Sequence, residues 1–389
     1  MRSRKYLLIL LYFSVFLGPF GGNTVLALIP SLERFFNVDI SFIAASITLY
    51  MIPFAFFQIF SGALSDIYGR RRTILFGLFT FSIASLFCAS SDRIWFFLTA
   101  RALQGLGSAF ISPTVMAMIG DIFPYSERGR IMGGYGASTT AGIALGPLAG
   151  GFLAMIDWRL VFVMLFIFSG VLGSSYLIYL DESGTDGELR DLTGRIRAVI
   201  GKREFLLLSV IGTLVFFGNI ATMTFLSDTL KVSVSEDKIG ILLSTFGFLG
   251  IVTAPVAGYL TDFIGRKQTL VGGLMIMLAS FLIFLPVNSY TSFFIPIAVM
   301  GAGSTTVFTS VNTMIIESVP GSRGAASSIY NSFRFLGYGV APLATLPVYL
   351  RFGIEGVFGL CMGLAIVNIV IAHFSFKRYF IKRRKANHQ

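Results

Sequence analysis

Twelve long apolar runs, separated by short polar turns, make up most of the chain. Each run is about 20 residues long, the length that a helix needs to cross the hydrocarbon core of a bilayer. A strand of a membrane barrel needs only about 10 residues, so the pattern predicts helices. The predicted spans are residues 7–29, 42–64, 73–91, 94–120, 131–154, 159–180, 205–227, 238–260, 269–287, 291–316, 326–348 and 355–376.

One polar segment, residues 181–204, is much longer than the other turns and separates six spans from six. Near its end, apolar residues occur at helical spacing, which predicts a linker with an amphipathic helix on the membrane surface. The predicted domains are an N-terminal six-helix bundle over residues 1–180, this linker, and a C-terminal six-helix bundle with a basic tail over residues 205–389. The apolar linker residues are Leu189, Leu192, Ile196, Val199 and Ile200.

The composition points to a membrane protein, because 55% of the 389 residues are hydrophobic and only 13% are charged. A soluble domain carries about 25% charged residues. In lipid, every backbone polar group must be paired within the protein, as it is in a helix. The sequence therefore predicts an all-α membrane protein with twelve transmembrane helices in two pseudo-symmetric bundles. Cys88 and Cys361 fall inside apolar runs, so no disulfide framework is expected.

The positions of the 30 lysines and arginines predict the orientation of the chain in the membrane. Most of them lie at the two termini and in alternate turns, and cytoplasmic loops are the ones enriched in these residues. We therefore expect a cell-membrane protein with both termini in the cytoplasm. The basic tail from Lys377 to Lys385 is expected to contact anionic lipids and not nucleic acid. The first apolar run is too long for a cleaved signal peptide, so we expect it to remain as a span.

The turn between spans two and three occurs a second time between spans eight and nine. The first copy starts at Gly62 and reads Gly-Ala-Leu-Ser-Asp-Ile-Tyr-Gly-Arg-Arg-Arg. The second starts 196 residues later, at Gly258, and reads Gly-Tyr-Leu-Thr-Asp-Phe-Ile-Gly-Arg-Lys. Asp121 and Glu317 correspond at the same offset. Two similar halves around a central pathway are the plan of many secondary transporters.

The repeated turn resembles the loop signature of the major facilitator superfamily, Gly-x-Leu-x-Asp-x-x-Gly-Arg-[Arg/Lys]. The resemblance extends over the whole chain and implies a transporter that opens alternately to the two sides of the membrane. It also implies an ionic latch that closes the cytoplasmic side. In that latch, Gly62 lets span two approach span eleven closely, and Asp66 lies near the N-terminal end of span eleven. Arg70, which follows Gly69, joins Asp66 to Asp121.

The second copy of the turn implies a second latch in the other half of the chain. Its residues would be Asp262, Arg266 and Glu317.

Span four contains Arg101 and Gln104 in the order Arg-Ala-Leu-Gln-Gly, which resembles a motif of proton-coupled members of the superfamily. Nine residues past Asp92, at about 1.5 Å each, Arg101 lies roughly 13 Å deep in the membrane. A buried arginine is costly at such a depth and is usually functional. Arg334 lies inside predicted span eleven, and we expect both arginines to act in coupling.

Span five contains Gly142, Gly146 and Gly150, which are four residues apart and form one bare stripe for close helix packing. Pro147 removes a backbone donor from the same helix. Together with Gly151 the pattern resembles the antiporter motif of drug and metabolite exporters, Gly-x-x-x-Gly-Pro-x-x-Gly-Gly.

None of the 19 acids lies deep inside a predicted span. Many drug antiporters resemble one another in having an aspartate seven residues before a proline near the end of span one; here that residue is Asn23. If protons drive transport, the carrier is Asp121, a rim acid such as Glu33 or Asp228, or the substrate itself.

Two buried arginines without a deep carboxylate imply a cavity of positive potential. Any one amide near it can equally serve as a hydrogen bond between helices. The candidate lining residues are Asn23, Tyr50, Gln58, Met116, Asn219, Asn312 and Asn331.

The sequence favours a proton-coupled exporter of hydrophobic or amphiphilic compounds. An exchanger or uptake carrier for an organic anion is the alternative, and a channel or scaffold is disfavoured because a scaffold needs no reversible gate. The only histidines are His373 and His388, and the chain has no metal cluster, nucleophile triad or phosphate loop, so no enzyme is expected. We expect a monomer with a small-molecule substrate, no metal or cofactor, and the proton as coupling ion.

Overall fold

The computed structural model describes residues 4–180, 192–319 and 323–375, and within these ranges all regular elements are helices. A short 3₁₀ turn, Thr291–Phe293, precedes α12. The α-helices are α1 (Arg4–Phe36), α2 (Ile40–Tyr68), α3 (Arg70–Ala89), α4 (Ile94–Ala109), α5 (Ser112–Ile122), α6 (Tyr125–Ala154), α7 (Arg159–Tyr179), α8 (Leu192–Ile200), α9 (Arg203–Leu230), α10 (Glu236–Phe263), α11 (Arg266–Phe284), α12 (Phe294–Ser318) and α13 (Arg323–Ser375).

Eleven helical segments in the described ranges are long and apolar enough to cross a membrane, and the last of them contains two spans. That segment has 50 residues, which at about 1.5 Å each would be about 75 Å long, more than twice the thickness of the hydrocarbon core. Gly353 breaks it with φ 65° and ψ −162°, a conformation that is open to glycine. The twelve-helix membrane fold predicted from the sequence is thereby confirmed.

Predicted span four consists of two helices, α4 and α5, which together cover Ile94–Ile122. Pro113 stands in the first turn of α5. Proline has no N–H to donate to the preceding turn, so it begins a helix more readily than it continues one. This interruption lies in the span that carries Arg101.

The two halves, α1–α7 and α9–α13, repeat the same helix contacts at the 196-residue offset. A Cβ atom on Gly105 of α4 would collide with the backbone carbonyl of Tyr50 in α2. A Cβ atom on Gly301 of α12 would collide in the same way with Phe246 of α10. Glycine therefore permits the same close helix crossing in both halves.

The repeated turn also has the same backbone conformation in both copies. Gly69 and Gly265 have φ values of 91° and 106°, which strain any residue with a side chain. Thr73 and Thr269 each donate a hydroxyl hydrogen bond to the carbonyl of that glycine, at 2.9 and 3.0 Å. The turn glycine is thus required by the backbone and not by helix packing.

The linker between the halves is described only in its second part. α8 packs beside α9 and α13, and the side chain of Val199 is fully buried. Lys202 donates to the backbone carbonyl of Ser318 at 2.7 Å. Residues 181–191 of the predicted linker and the basic tail from residue 376 onward lie outside the described residues.

The bundle has two ends, which we name by their residues. The basic end carries the turns at Gly69 and Gly265. The far end is the opposite one, where α1 ends at Phe36 and α10 begins at Glu236. Across the boundary between the halves, α6 packs against α10 and α2 against α13.

Candidate functional site

The far end is closed by ion pairs that join the two halves. Lys231 Nζ lies 2.6 Å from Glu33 Oε2 and 2.5 Å from Asp228 Oδ1. Arg34 forms an ion pair with Glu236. Glu33 and Arg34 belong to α1, whereas the other three residues belong to the second half, so each contact from α1 crosses the boundary. We call these five residues the far-end clamp.

The two carboxylates that contact Lys231 are withdrawn from water, since Glu33 and Asp228 are both buried, whereas Lys231 and Arg34 are exposed. Burial alone would lower the pKa of Lys231, but the hydrogen bonds that it donates to Asp228 and Glu33 raise this pKa above its usual value. The lysine therefore stays charged at neutral pH, and its stabilising contribution is lost only when the pH rises through that raised pKa.

Neutral hydrogen bonds surround the clamp and also cross between the halves. Ser31 Oγ donates to Glu236 Oε1 at 2.8 Å, and Ser227 Oγ donates to the carbonyl of Leu26 at 2.5 Å. Within the second half, Tyr349 donates to Asp228 Oδ2 at 2.6 Å. The sequence placed Glu33 and Asp228 at the rim of the membrane, but its local pattern does not indicate this network.

The glycine stripe of α6 packs against α1 of the same half. Cβ atoms built on its glycines would come closer to backbone oxygens of α1 than real Cβ atoms come. Backbone atoms cannot rotate away, so the stripe fixes the distance between these two helices. Such Cβ atoms would lie 2.6 Å from Phe16 O for Gly142, 2.8 Å from Phe20 O for Gly146, and 2.6 Å from Thr24 O for Gly150.

The remaining residues of the same motif face the other half. A Cβ atom on Gly240 of α10 would lie 2.5 Å from the carbonyl oxygen of Pro147. Gly151 likewise leaves no room beside the backbone of Glu236, a residue of the clamp. The motif therefore takes part in two contacts of α6: the close contact with α1 and the contact with α10, which crosses between the halves.

At the basic end, Arg70 joins span two to span four, as the sequence suggested. Its Nε atom donates to Asp121 Oδ2 at 2.9 Å, and its Nη1 atom pairs with Asp66 and donates to Ser65. All four residues belong to the first half. Half of each carboxylate side chain is exposed, with 52% for Asp66 and 56% for Asp121.

The second copy reproduces only part of this cluster. Arg266 pairs with Glu317, at the positions that correspond to Arg70 and Asp121. Asp262, however, forms none of the ion pairs found in the described ranges, and Arg266 Nε is buried without a partner there. The expected three-residue latch is thus an ion pair of two residues in this conformation.

The role expected of Gly62 stays a prediction. Among the described residues, a Cβ atom on Gly62 would meet nothing within 4 Å. The N-terminal end of span eleven, where Asp66 was expected to lie, includes residues 320–322, which lie outside the described residues.

Near the middle of the membrane, Arg101 is fully buried and lies in a hydrogen-bonded network of the first half. Its Nη1 atom donates to the carbonyl of Gly21 at 3.1 Å and to Gln104 Oε1 at 2.5 Å. Gln104 donates in turn to Ser85 Oγ at 2.8 Å. The guanidinium group lies 4.3 Å from the ring centroid of Tyr50. Arg101 is therefore held by neutral acceptors and a ring.

Tyr338, which the sequence reading missed, links the two halves at this depth. Its hydroxyl group donates to Asn23 Oδ1, and its side chain is buried. Beside it, the rings of Phe54 and Phe335 lie 4.5 Å apart across the boundary. The signal in the sequence was the position of Tyr338 one helical turn after Arg334.

The other candidate lining residues divide into two groups. Asn23 Nδ2, Tyr50 and Asn219 make internal hydrogen bonds, to Pro19 O, Gly18 O and Ser304 Oγ respectively. Gln58 is buried, with its Oε1 atom unpartnered among the described residues. Three residues remain partly exposed, which makes them the better candidates for lining a pathway: Met116, Asn312 and Asn331.

We expect Asp66→Asn to abolish transport with little change in stability. The ion pair of Asp66 is half exposed, and such pairs contribute below about 1 kcal/mol. Transport should fall much more than stability, because the latch would act in the state in which the basic ends meet. Asp262→Asn is the matched control, because Asp262 forms no ion pair with the described residues, and we expect this variant to lose less activity. Equal transport rates per folded molecule in wild type and Asp66→Asn would refute the latch.

Comparison with known proteins places this geometry among transporters. The profile of the Major Facilitator Superfamily matches residues 11–230 and again 205–388. The chain is 26% identical to the "Uncharacterized MFS-type transporter YwfA" of Bacillus subtilis (strain 168), over 100% of the chain and 97% of the relative. It is 24% identical to "Multidrug resistance protein Stp" of Mycobacterium tuberculosis (strain CDC 1551 / Oshkosh), over 84% and 71%. It is 27% identical to "Quinolone resistance protein NorA" of Staphylococcus aureus (strain MRSA252), over 62% and 63%.

Proposed function

Because the chain belongs to the Major Facilitator Superfamily and is a multi-pass secondary transporter of small molecules, we propose that it exports hydrophobic or amphiphilic drugs or metabolites. The relatives Stp and NorA carry drug-resistance names, and the motif from Gly142 to Gly151 resembles that of antiporters. The protein would act as a monomer, would need no metal or cofactor, and would transport its substrate without covalent chemistry.

The distribution of contacts between the halves is the observation that carries the alternating-access mechanism. Hydrogen bonds and ion pairs join the two halves at the far end and near mid-membrane. At the basic end, the charged clusters of Arg70 and Arg266 each stay within one half. Such an arrangement lets the far end open while the basic ends approach one another.

The orientation of the two ends is part of the proposal. The excess of lysine and arginine at the basic end supports a cytoplasmic location for it and for both termini. The conformation described is then closed to the outside by the far-end clamp. The basic tail would contact anionic lipids of the inner leaflet.

Inward flow of protons is the proposed driving force. The candidate carriers lie at the two ends, with Asp121 exposed at the basic end and Glu33 and Asp228 buried at the far end. The described structure places no ion pair at Arg101 or Arg334 in the middle. Proton exchange at the ends, rather than at a central carboxylate, would then couple to opening and closing.

Inverted membrane vesicles test the proposal directly. We expect vesicles that contain the protein to accumulate a fluorescent amphiphile when their interior is acidic, and to release it when a protonophore dissipates the pH gradient. Vesicles with Arg101→Ala are the control for specific transport. Accumulation that survives loss of the gradient would instead support exchange of an organic anion, the function that the two buried arginines favour.

A further inference from the structure

Arg334 occupies a box of aromatic rings without a counter-ion. Its guanidinium carbon lies 4.6, 4.7 and 4.5 Å from the ring centroids of Phe216, Phe308 and Phe335. These rings come from α9, α12 and α13, so three helices of the second half build the box. The side chain is buried, with 7% exposed.

The nitrogen atoms of this guanidinium group have no protein acceptor. Within the described part of the chain, Arg334 appears in no ion pair and no hydrogen bond, and its Nε atom is buried without a partner. Arg101 also has buried nitrogens without a partner there, Nε and Nη2, but its Nη1 atom donates to Gly21 and Gln104. An arginine inside a membrane is expensive and is normally paired or functional. Arg334 therefore needs an acceptor that the protein does not supply.

The residues around the box suit an amphiphilic ligand. Asn331 lies one turn before Arg334 on α13, and Asn312 lies one turn after Phe308 on α12; both are partly exposed. Tyr330 lies one turn before Arg334, with its ring 6.5 Å from that of Phe308, and Tyr338 lies one turn after Arg334. Tyr338 donates to Asn23 of α1, so the other half also faces the site. Amides and hydroxyls can orient a polar group, while the phenylalanines contact an apolar body.

We propose that Arg334 binds the anionic group of the substrate, and that the substrate class is amphiphilic aromatic acids. The acid group would accept hydrogen bonds from the guanidinium nitrogens, and the aromatic body would pack against Phe216, Phe308 and Phe335. The bound acid would supply the counter-ion that the buried Arg334 lacks among the described residues. This inference rests on the proposed export function and names its substrate.

The test compares matched ligands on the purified full-length protein in lipid nanodiscs. Benzoate, 2-naphthoate and 4-phenylbenzoate are each paired with the primary amide of the same acid, and affinity is obtained from the ligand-dependent rise in Tm. At least one acid should bind at least about tenfold more tightly than its amide, the preference expected of a hydrogen bond to a charged group. Equal affinities in every pair, or no binding by any acid, would overturn the proposal.

Variants of Arg334 test whether this residue causes the tighter binding of acids than of their amides. Arg334→Gln should remove it, and Arg334→Lys should retain only part of it, because an ammonium group cannot form two parallel hydrogen bonds. Arg351→Gln is the matched control, since Arg351 lies on the same helix beside a phenylalanine ring but is exposed. A preference that survives both changes at Arg334, or is lost equally in Arg351→Gln, would contradict the site. If Arg334→Gln does not fold, Arg334→Lys and the wild-type pairs decide the question.

Binding and export can fail separately. An acid preference that depends on Arg334, in a protein that exports nothing, would refute the proposed function and leave this site standing. Export of amphiphiles without any preference for acids would refute this site and leave the proposed function standing.

Discussion

Lys231→Met should open the far end of the bundle. Lys231 is the cation that contacts both Glu33 and Asp228, and both carboxylates are buried. Without it, two neighbouring buried carboxylates have no counter-ion, and both can be ionised only when the end opens to water. Because Lys231 itself is exposed, its loss should cost about 1–3 kcal/mol, which changes the ratio of closed to open molecules by about 5- to 150-fold.

Reaction with a membrane-impermeant maleimide reports this opening. The reporter is Ser227→Cys, since Ser227 is fully buried and bonds to Leu26 across the halves. Cys88 and Cys361, which are buried, are replaced by alanine. We expect Lys231→Met to raise the labelling rate at least about fivefold, the lower end of the expected shift in populations.

Two further variants control this experiment. Lys238→Met makes the same substitution at an exposed lysine of the same end and should leave labelling unchanged. Adding Glu33→Gln to Lys231→Met removes one of the two carboxylates and should restore part of the closed population. Labelling of Lys231→Met at the wild-type rate would show that the clamp does not hold the far end closed.

Gly146→Ala should destabilise the folded protein. The added Cβ atom would stand 2.8 Å from Phe20 O and 3.2 Å from Thr24 N, both backbone atoms of α1. Helices α1 and α6 would have to separate, and overpacking of this kind costs about 1–3 kcal/mol. Because Pro147 and Gly151 lie on the same helix and face α10, the displacement should also disturb the contact between the halves, so transport should fall.

Gly136→Ala is the matched control on the same helix. A Cβ atom on Gly136 meets nothing within 4 Å, and alanine is the better helix former by about 1 kcal/mol. Melting in detergent should therefore give a Tm several degrees lower for Gly146→Ala and an unchanged or higher Tm for Gly136→Ala. Equal values of Tm for the two variants would show that the stripe does not set the helix distance.

Features that depend on local pattern or on the internal repeat could be predicted from the sequence. Apolar run length predicted the spans, and the family-like turn placed Arg70 beside Asp121, as the structure does. The repeat also placed Arg266 beside Glu317. These predictions succeed because they involve spacing along a helix or a copy of one local motif.

The features that sequence reading missed are contacts between residues far apart in the chain. Glu33 and Lys231 are separated by 198 positions and have no counterpart in the repeat, so no local pattern marks them as partners. Tyr338 looked like an ordinary aromatic residue of a span, and only the fold brings its hydroxyl group to Asn23 of the other half.

The roles assigned to the site residues stay predictions. The geometry favours a gating role for some of these residues and a structural role for others. Arg70 and Arg266 lie in clusters at the end that has to close. Asn23 and Asn219 are already hydrogen-bonded within the protein, which favours a structural role for both amides.

Distances between spin labels at both ends of the bundle test the central claim that the two halves rock against each other. Labels on Ile156 and Val232 report the far end, and labels on Tyr68 and Ile264 report the basic end; all four residues are exposed, and each pair spans the two halves. In nanodiscs, going from wild type to Lys231→Met should lengthen the far-end distance and shorten the basic-end distance together. A far-end distance that increases while the basic-end distance stays fixed, or two distances that change in the same direction, would contradict alternating access by these halves.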